Sequence, residues 1–498
     1  MQRLKSALIR VDGRPESGFG HIRRCITLAE SLENQGWQCT LAFEEACKIS
    51  ASHLGRLKSF PLTDCLSLGE EIAALGGLRS EPWDLLIVDH YQRDIDFEKA
   101  FAESAVRTLV IDDLANRPHQ CDFLIDQSGY DIENRYRALT PNSCQFLTGT
   151  GFALLGAVFK NTRLKTLQAR VFEGVKRVLV SFGGADTHNL TERSLNALLI
   201  TGLGLEIDVV ISPAAASYHK IKAMAGSASV YIHENVGLDK MAQLMSSADL
   251  AIGAAGGTSW ERCCLGLPSV VIVTARNQDN VAQELKRQEA ALVLGWHDDI
   301  TEVTIAEVVQ QLNASPERLS SLSQQSSRVC DGWGADLIAT ALSTPDHEEA
   351  KEPLWLRRAS LDDLDLVYYW QCAPETRNHF RNPNPPTLNE HVAWMTGKLC
   401  DPSCIFALVI KNGVPVGVLR LDSEKGGDVY EVSILTAPGY YRQGIGHAAL
   451  AMARSLVPKT RLKAFVSEEN KASIGMFKKA GYQIDGDWLV NWPSTTIQ

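Results

Sequence analysis

The chain has 498 residues, 45% hydrophobic and 22% charged, a globular composition too long for one hydrophobic core. Its 49 Lys and Arg stand against 59 Asp and Glu, a net charge of −10. That balance excludes a general binder of nucleic acid or anionic membrane but leaves room for a local phosphate site. No apolar run approaches the roughly 18 residues of a membrane span, and charges interrupt the apolar N-terminal stretch, so a cytoplasmic protein without a membrane partner is expected. The 12 cysteines include no CxxC pair, so reduced thiols and no metal site are expected.

In chain order, Ala7–Val11 reads as a strand, followed by a glycine turn and a helix from about Ile22 to Gln35. Cys39–Phe43, Leu85–Val88, Thr108–Ile111 and Phe123–Ile125 are further strands, giving a first parallel α/β lobe over residues 1–165. The pattern restarts with Arg177–Phe182 and continues through Glu206–Ile211, Ser229–His233, Leu250–Gly253 and Ser269–Val273, a second lobe over 166–342. Residues 343–353, STPDHEEAKEP, read as a linker. From 354 to 498 the texture becomes α+β. Trp355–Ala359 is a strand and Asp362–Gln371 a helix. Ile405–Ile410, Val414–Leu421 and Val429–Leu435 read as antiparallel strands, with a hairpin turn at Lys411-Asn412-Gly413.

Gly18-Phe19-Gly20-His21 joins the first strand to the first helix, where glycines permit a close backbone approach and a histidine can move a proton near neutrality. His21 reads equally as a helix cap. Arg10-Val11-Asp12, this glycine turn, Arg24-Cys25 and Leu28-Ala29 resemble the opening of the UDP-sugar hydrolases of pseudaminic acid biosynthesis. Val88-Asp89-His90-Tyr91, Ile111 through Ala115, Cys121 through Gln127, Ser181 through Asp186 and Asn189-Leu190-Thr191 are similar to further blocks of that family. The resemblance covers about the first 340 residues and implies two Rossmann-like lobes of GT-B type. Where the family carries Arg-Pro-Glu between the lobes, this chain has Gly156-Ala157-Val158.

Ala255-Gly256-Gly257-Thr258-Ser259-Trp260-Glu261 follows a strand and enters a helix ending at Gly266-Leu267-Pro268. Backbone N–H groups and hydroxyls there suit a diphosphate. Glu261 reads either as a first-turn carboxylate favoured by the helix dipole or, by the resemblance, as the holder of the uridine ribose. Asp12, Gly18, Gly20, Gly183, Gly184 and Gln278 complete the expected substrate-binding set. Asn277 reads by itself as part of a polar loop, and the resemblance gives it a functional place. Asp112-Asp113 and Asp298-Asp299 read as loop or cap residues, so a metal-independent reaction is expected. The resemblance implies hydrolysis of UDP-2,4-diacetamido-2,4,6-trideoxy-β-L-altropyranose, with His21 as general base and Tyr91 and Asn277 supporting water or sugar.

Tyr440 through Ala448, containing Arg442-Gln443-Gly444-Ile445-Gly446-His447, has the Arg/Gln-x-x-Gly-x-Gly/Ala form of the GNAT acetyltransferases. Leu356 through Ala359, Asn470, Ser473 and Phe477 through Tyr482 follow at that family's spacing. The resemblance implies an α+β domain with acetyl-CoA as co-substrate, bound through Leu435, Arg442, Gln443, Gly444, Ile445, Gly446, His447 and Asn470. Glu431 reads either as the base that frees the acceptor amine or as a strand carboxylate paired with an Arg. Phe477 stands where many members have a proton-donating Tyr. Trp370, Glu375, Arg377, Asn378, His379, Arg381, His391 and Trp394 lie where such folds shape the acceptor pocket.

Together these readings make the chain a bifunctional nucleotide-sugar enzyme. One part would acetylate UDP-4-amino-4,6-dideoxy-N-acetyl-β-L-altrosamine, and the other would release UDP from the product. Two alternatives stand: a GT-B glycosyltransferase fused to an N-acetyltransferase of unrelated substrate, and a nucleotide-sugar binding module without turnover.

Overall fold

The computed structural model describes residues 3–14, 19–47, 54–63, 66–129, 132–183, 186–225, 229–344, 353–378, 380, 382–424 and 427–493. Gly18, Gly184, His379, Arg381 and most of the expected linker lie outside the described residues. Contacts divide the chain into two compact units, Met1–Glu30 with Trp37–Ala335, and Ser31–Gly36 with Asp336–Gln498.

The first unit holds two parallel sheets. The strands of the first are β1 (Lys5–Val11), β2 (Trp37–Glu44), β3 (Lys58–Leu62), β4 (Leu85–Asp89), β5 (Thr108–Ile111), β6 (Phe123–Asp126) and β7 (Gln145–Thr148), in the order β3-β2-β1-β4-β5-β6-β7. The second contains β8 (Arg177–Ser181), β9 (Glu206–Val210), β10 (Val230–His233), β11 (Leu250–Ala254), β12 (Ser269–Val273) and β13 (Leu292–Trp296), in the order β10-β9-β8-β11-β12-β13. The central strands β4, β11 and β12 are buried along their whole length, as strands covered on both faces must be. In each sheet the strand order reverses once, between β1 and β4 and between β8 and β11. A crevice opens at the carboxyl ends of the strands at such a reversal.

Helix α1 (Gly20–Glu33) follows β1, and helix α2 (Ala157–Ala169) follows the crossing between the lobes. Gly156 makes that crossing fit: a Cβ there would meet Leu238 Cδ1 at 2.7 Å. Ala153, Leu155 and Phe159 belong to one buried apolar cluster with Met241, Trp260 and Val271 of the second lobe, and Val158 and Leu238 pack against it. Hydrocarbon therefore stands where the resemblance expected an Arg and a Glu. Farther along, Arg163 donates to the carbonyls of Cys264 (2.5 Å), Cys330 (3.2 Å) and Ser327 (2.8 Å). Arg170 donates to those of Leu265, Ala248 and Met245, each at 2.8 Å. These carbonyls lie at helix ends, where they lack intrahelical donors.

The second unit holds β14 (Leu354–Arg358), β15 (Cys404–Lys411), β16 (Val414–Ser423), β17 (Val429–Thr436), β18 (Arg461–Ala464), β19 (Gln483–Asp485) and β20 (Trp488–Asn491), ordered β14-β15-β16-β17-β18-β20-β19. Strands β14 through β17 pair antiparallel. The β15–β16 hairpin turns through Asn412 (φ 50°) and Gly413 (φ 75°), the positive-φ pair that a two-residue turn requires. Strands β17 and β18 run parallel but pair only over Val429–Glu431 with Arg461–Lys463. Every described cysteine is a free thiol, and no helix among the described residues is long and apolar enough to cross a membrane.

Candidate active sites

The reversal in the first sheet brings together His21, at the start of α1, and Asp89, the last residue of β4. His21 Nδ1 lies 2.6 Å from Asp89 Oδ1. A carboxylate only accepts, so Nδ1 carries a proton, and in the neutral ring Nε2 keeps its lone pair. Arg24 grips the same carboxylate with Nε and Nη2, both at 2.6 Å. Burial alone would raise the Asp89 pKa; Arg24 and then His21 outweigh it and hold the carboxyl well below its usual range. The His21 ring meets Tyr91 edge-on at 4.6 Å. The Tyr91 hydroxyl donates to Asp113 Oδ1 at 3.1 Å, and Arg24 Nη1 lies 3.4 Å from Asp113 Oδ2. Burial, followed by Asp113, pushes the Tyr91 pKa up. Asn277 of the second lobe adjoins Tyr91 and opposes that rise, so three of the expected catalytic side chains, His21, Tyr91 and Asn277, form one group. Asp113, expected as a loop or cap residue, instead supports Tyr91, whereas Asp112 does close a turn by accepting from Leu114 and Ala115.

The reversal in the second sheet gathers Gly183, after β8, and Gly256-Gly257, after β11. Gly183 has φ 84°, and a side chain at any of the three would enter open space, as it would at Gly20. Helix α3 (Thr258–Cys264) follows. Thr258 is half-buried at its start. Ser259 faces inward: its hydroxyl donates to Ala254 O at 3.3 Å and accepts from Arg262 at 2.8 Å. Glu261 is 8% exposed, and its Oε2 is shut from solvent without a hydrogen-bond partner. Burial pushes its pKa up to about 7, against the pull of Arg23 and then Arg262. Gln278 bonds to Thr274 through both amide atoms, at 2.8 and 2.9 Å.

Asp12 is fully buried, with both oxygens on Arg14 at 2.9 and 2.6 Å. With Glu44 and His90 it forms a group of metal-ligand type that the sequence did not suggest. Its donors are already engaged. Glu44 accepts from Arg10 (2.6 Å), His90 (2.9 Å) and Gly13 N (2.8 Å), and His90 Nδ1 accepts from Gln92 N at 3.0 Å. Arginines, His90 and backbone N–H groups already hydrogen-bond to these atoms in the structure.

In the second unit, Glu431 sits at the last position where β17 pairs β18, level with Asp422 on β16 and Lys463 on β18. Beyond it the two strands no longer pair. The Leu435 carbonyl lies against Gly417 of β16, where a Cβ would come within 2.7 Å. The backbone groups of β17 that face the gap are therefore those of the alternate residues, Ile434 and Thr436. The loop that follows carries positive φ at Gly439 (87°), Arg442 (61°) and Gly444 (74°). It leads into helix α4 (Ile445–Leu456). Gln443 donates to Gly439 O and receives Lys411, both at 3.4 Å. Ile445 is buried, His447 is half-buried, and Gly446 packs against Met476 of helix α5 (Lys471–Lys479), which Asn470 caps through Ser473 N at 3.0 Å. This gap and turn suit a cofactor carrying amides and a pyrophosphate. Phe477 and Tyr482 are buried and meet edge-on at 4.9 Å. Of the residues expected to shape the acceptor pocket, Trp370 is core and His391 is buried between Tyr368 and Trp394.

Two family models match: the acetyltransferase (GNAT) domain over residues 353–483, and the glycosyltransferase family 28 C-terminal domain over 199–332. The UDP-2,4-diacetamido-2,4,6-trideoxy-β-L-altropyranose hydrolase of Campylobacter jejuni is 26% identical over 287 residues, 56% of this chain and 96% of that protein. The chain is a fusion of a two-lobed unit homologous to that hydrolase with a GNAT domain. An uncharacterized Methanocaldococcus jannaschii protein matches nearly the whole fusion, 22% identical over 96% of this chain and 97% of its own length. The Bacillus subtilis spore coat polysaccharide biosynthesis protein SpsG is 24% identical over 67% of the fusion and 96% of its own length. In the fusion, Asp89, Arg24 and Asp113 surround His21 and Tyr91 without the sequence having pointed to them. Asp89 and Arg24 lay inside quoted motifs, but their pairing across 65 positions became visible only with the sheet order.

Proposed function

We propose that the fusion carries out two consecutive steps on a UDP-linked amino sugar: acetyl-CoA-dependent N-acetylation in the GNAT domain, then hydrolytic release of UDP in the two-lobed unit. The proposed substrates are UDP-4-amino-4,6-dideoxy-N-acetyl-β-L-altrosamine and its acetylated product, UDP-2,4-diacetamido-2,4,6-trideoxy-β-L-altropyranose. The observation that carries the reading is the His21–Asp89 pair, with Tyr91 and Asn277 beside it.

In the hydrolase step, His21 Nε2 takes a proton from water as the oxygen attacks the anomeric carbon. The C–O bond to UDP breaks, and its electron pair leaves on the β-phosphate, giving the inverted sugar and UDP. Asp89 orients the imidazole and stabilises the imidazolium, while Arg24 keeps Asp89 ionised. Tyr91 and Asn277 position the water or sugar from the two lobes. The buried Glu261 oxygen accepts from the ribose diol, and backbone groups at Gly183 and Gly256-Gly257 approach the diphosphate. No metal takes part.

Bound acetyl-CoA supplies a thioester. Glu431, at the mouth of the β17–β18 gap, removes the proton from the acceptor amine, and the Arg442–Gly446 turn holds the pyrophosphate. The buried Phe477 offers no proton to the departing sulfur, so water serves that role.

Incubation of the amino sugar nucleotide with and without acetyl-CoA, following CoA, UDP and sugar together, tests the scheme. UDP release only after acetylation is expected; CoA release without UDP release removes the hydrolase step. The match to the glycosyltransferase family 28 C-terminal domain favours a second reading, transfer of the sugar to an acceptor. It predicts that the UDP-sugar alone is stable.

A further inference from the structure

Helix α1 carries two adjacent arginines with different surroundings. Arg24 is buried and committed to Asp89 and Asp113. Arg23 is half-buried, and among the described residues its side chain makes one hydrogen bond, a long one, Nη2 to the carbonyl of Val236 at 3.4 Å. Val236 follows β10, so this arginine of the first lobe reaches onto the second. Its guanidinium lies 5.8 Å from the Phe19 ring, and most of its five donors meet no hydrogen-bond partner among the described residues.

Across from it, the second lobe presents Glu261, with Oε2 buried and unpartnered. Arg23 is the foremost cation acting on Glu261, yet the two form no ion pair. A buried carboxyl oxygen without a hydrogen-bond partner, facing a guanidinium that is little engaged, is costly in a folded protein unless a ligand completes both. The required ligand offers hydroxyl donors to the carboxylate and anionic oxygens to the guanidinium. A nucleoside diphosphate has both, a ribose diol and a phosphate chain a few bonds apart.

Three other arginines near the two crevices are occupied. Arg14 is bidentate on Asp12, Arg262 donates to Ala254 O and Ser259, and Arg135 donates to Asp126 and to the Asp113 carbonyl. Arg276, exposed beside Asn277, is the competing candidate.

We infer that Arg23 is the residue that grips the diphosphate of the bound UDP-sugar, so that the nucleotide is held by a cation from the first lobe and a carboxylate from the second. This rests on the nucleotide-sugar reading above and adds the leaving-group contact to it. Because α1 also carries His21 at its first turn, seating Arg23 on the phosphate seats the base over the anomeric carbon. Recognition of the leaving group and activation of water then share one helix.

Calorimetric affinities of the full chain for uridine, UMP and UDP test the inference, using wild type, Arg23→Met, Arg23→Lys and Arg276→Met. In wild type, affinity is expected to rise from uridine to UDP. Arg23→Met is expected to weaken UDP by about 10- to 100-fold, the worth of a charge-assisted contact, and to leave uridine within about twofold. Arg23→Lys keeps the charge but not the fork and is expected to fall between them. A parallel loss for uridine and UDP in both Arg23 variants, an unchanged UDP affinity, or a UDP-specific loss in Arg276→Met instead overturns the inference. Failure of the wild type to bind either uridine or UDP overturns the nucleotide reading itself, and is distinguishable because it needs no variant.

Discussion

At the residue scale the two decisive groups are a histidine and a glutamate whose environments do opposite things. His21 owes its orientation to Asp89, which is held anionic by Arg24 in a fully buried position. His21→Asn is expected to lower UDP release by roughly 10²–10⁴-fold while leaving UDP affinity unchanged, checked by turnover and calorimetry. Asp89→Asn is expected to do more. It reverses the hydrogen-bond demand on Nδ1 and leaves the buried Arg24 without its anion, so both turnover and melting temperature fall, the latter by the equivalent of about 3–5 kcal/mol. Glu261, whose pKa is raised by burial from an ordinary 4.5 to about 7, keeps a proton in the folded chain that the unfolded chain has lost. Stability is therefore greatest below about pH 4.5 as far as this group is concerned, and falls as pH rises through 7, by up to about 3 kcal/mol. Glu261→Gln is expected to abolish that slope in pH-dependent melting curves. It is also expected to cost the affinity for UDP and to remove the proton released when UDP binds near pH 6.

At the element scale, the legible parts of the chain are those whose surroundings are uniform. Strands β1, β4, β8, β11 and β12 lie inside sheets and read as continuous apolar runs. In the first unit, the three that escaped the sequence reading, β3, β7 and β13, lie at sheet edges. An edge strand is partly solvated and loses its pattern; β3 even contains Pro61, which only an edge tolerates. The glycine turns announced the two crevices, because a loop that must approach a ligand needs residues without side chains. Asp89 and Asp113 announced nothing, because an acidic residue at a strand end has the same local signature whether it caps a turn, as Asp112 does, or supports a base. On β16, Gly417 lies against the Leu435 carbonyl, and Gly417→Ala is expected to push β16 from β17. Because β17 carries Glu431 and leads into the Arg442–Gly446 turn, CoA release should fall together with the melting temperature, while UDP release from pre-acetylated substrate persists.

At the scale of the whole molecule, the two proposed chemistries fall in separate compact units, and their separation has a direct test. His21→Asn is expected to make the full chain release CoA without UDP. Glu431→Gln is expected to abolish the first release yet leave hydrolysis of supplied acetylated sugar nucleotide intact. Each is read by assaying both products from one incubation. The relative that matches 97% of its own length shares this overall extent, whereas the match to the Campylobacter hydrolase takes in 56% of the chain. The contact of Gly156 with Leu238 has one more consequence. A crossing sealed by methyl groups has no charges for salt to screen, and its cohesion fades in the cold instead, as water accommodates hydrocarbon more readily. Low temperature, and not ionic strength, is the lever that loosens this seam. Amide exchange along Gly156–Phe159, corrected for its intrinsic rate, should quicken on chilling and ignore added salt.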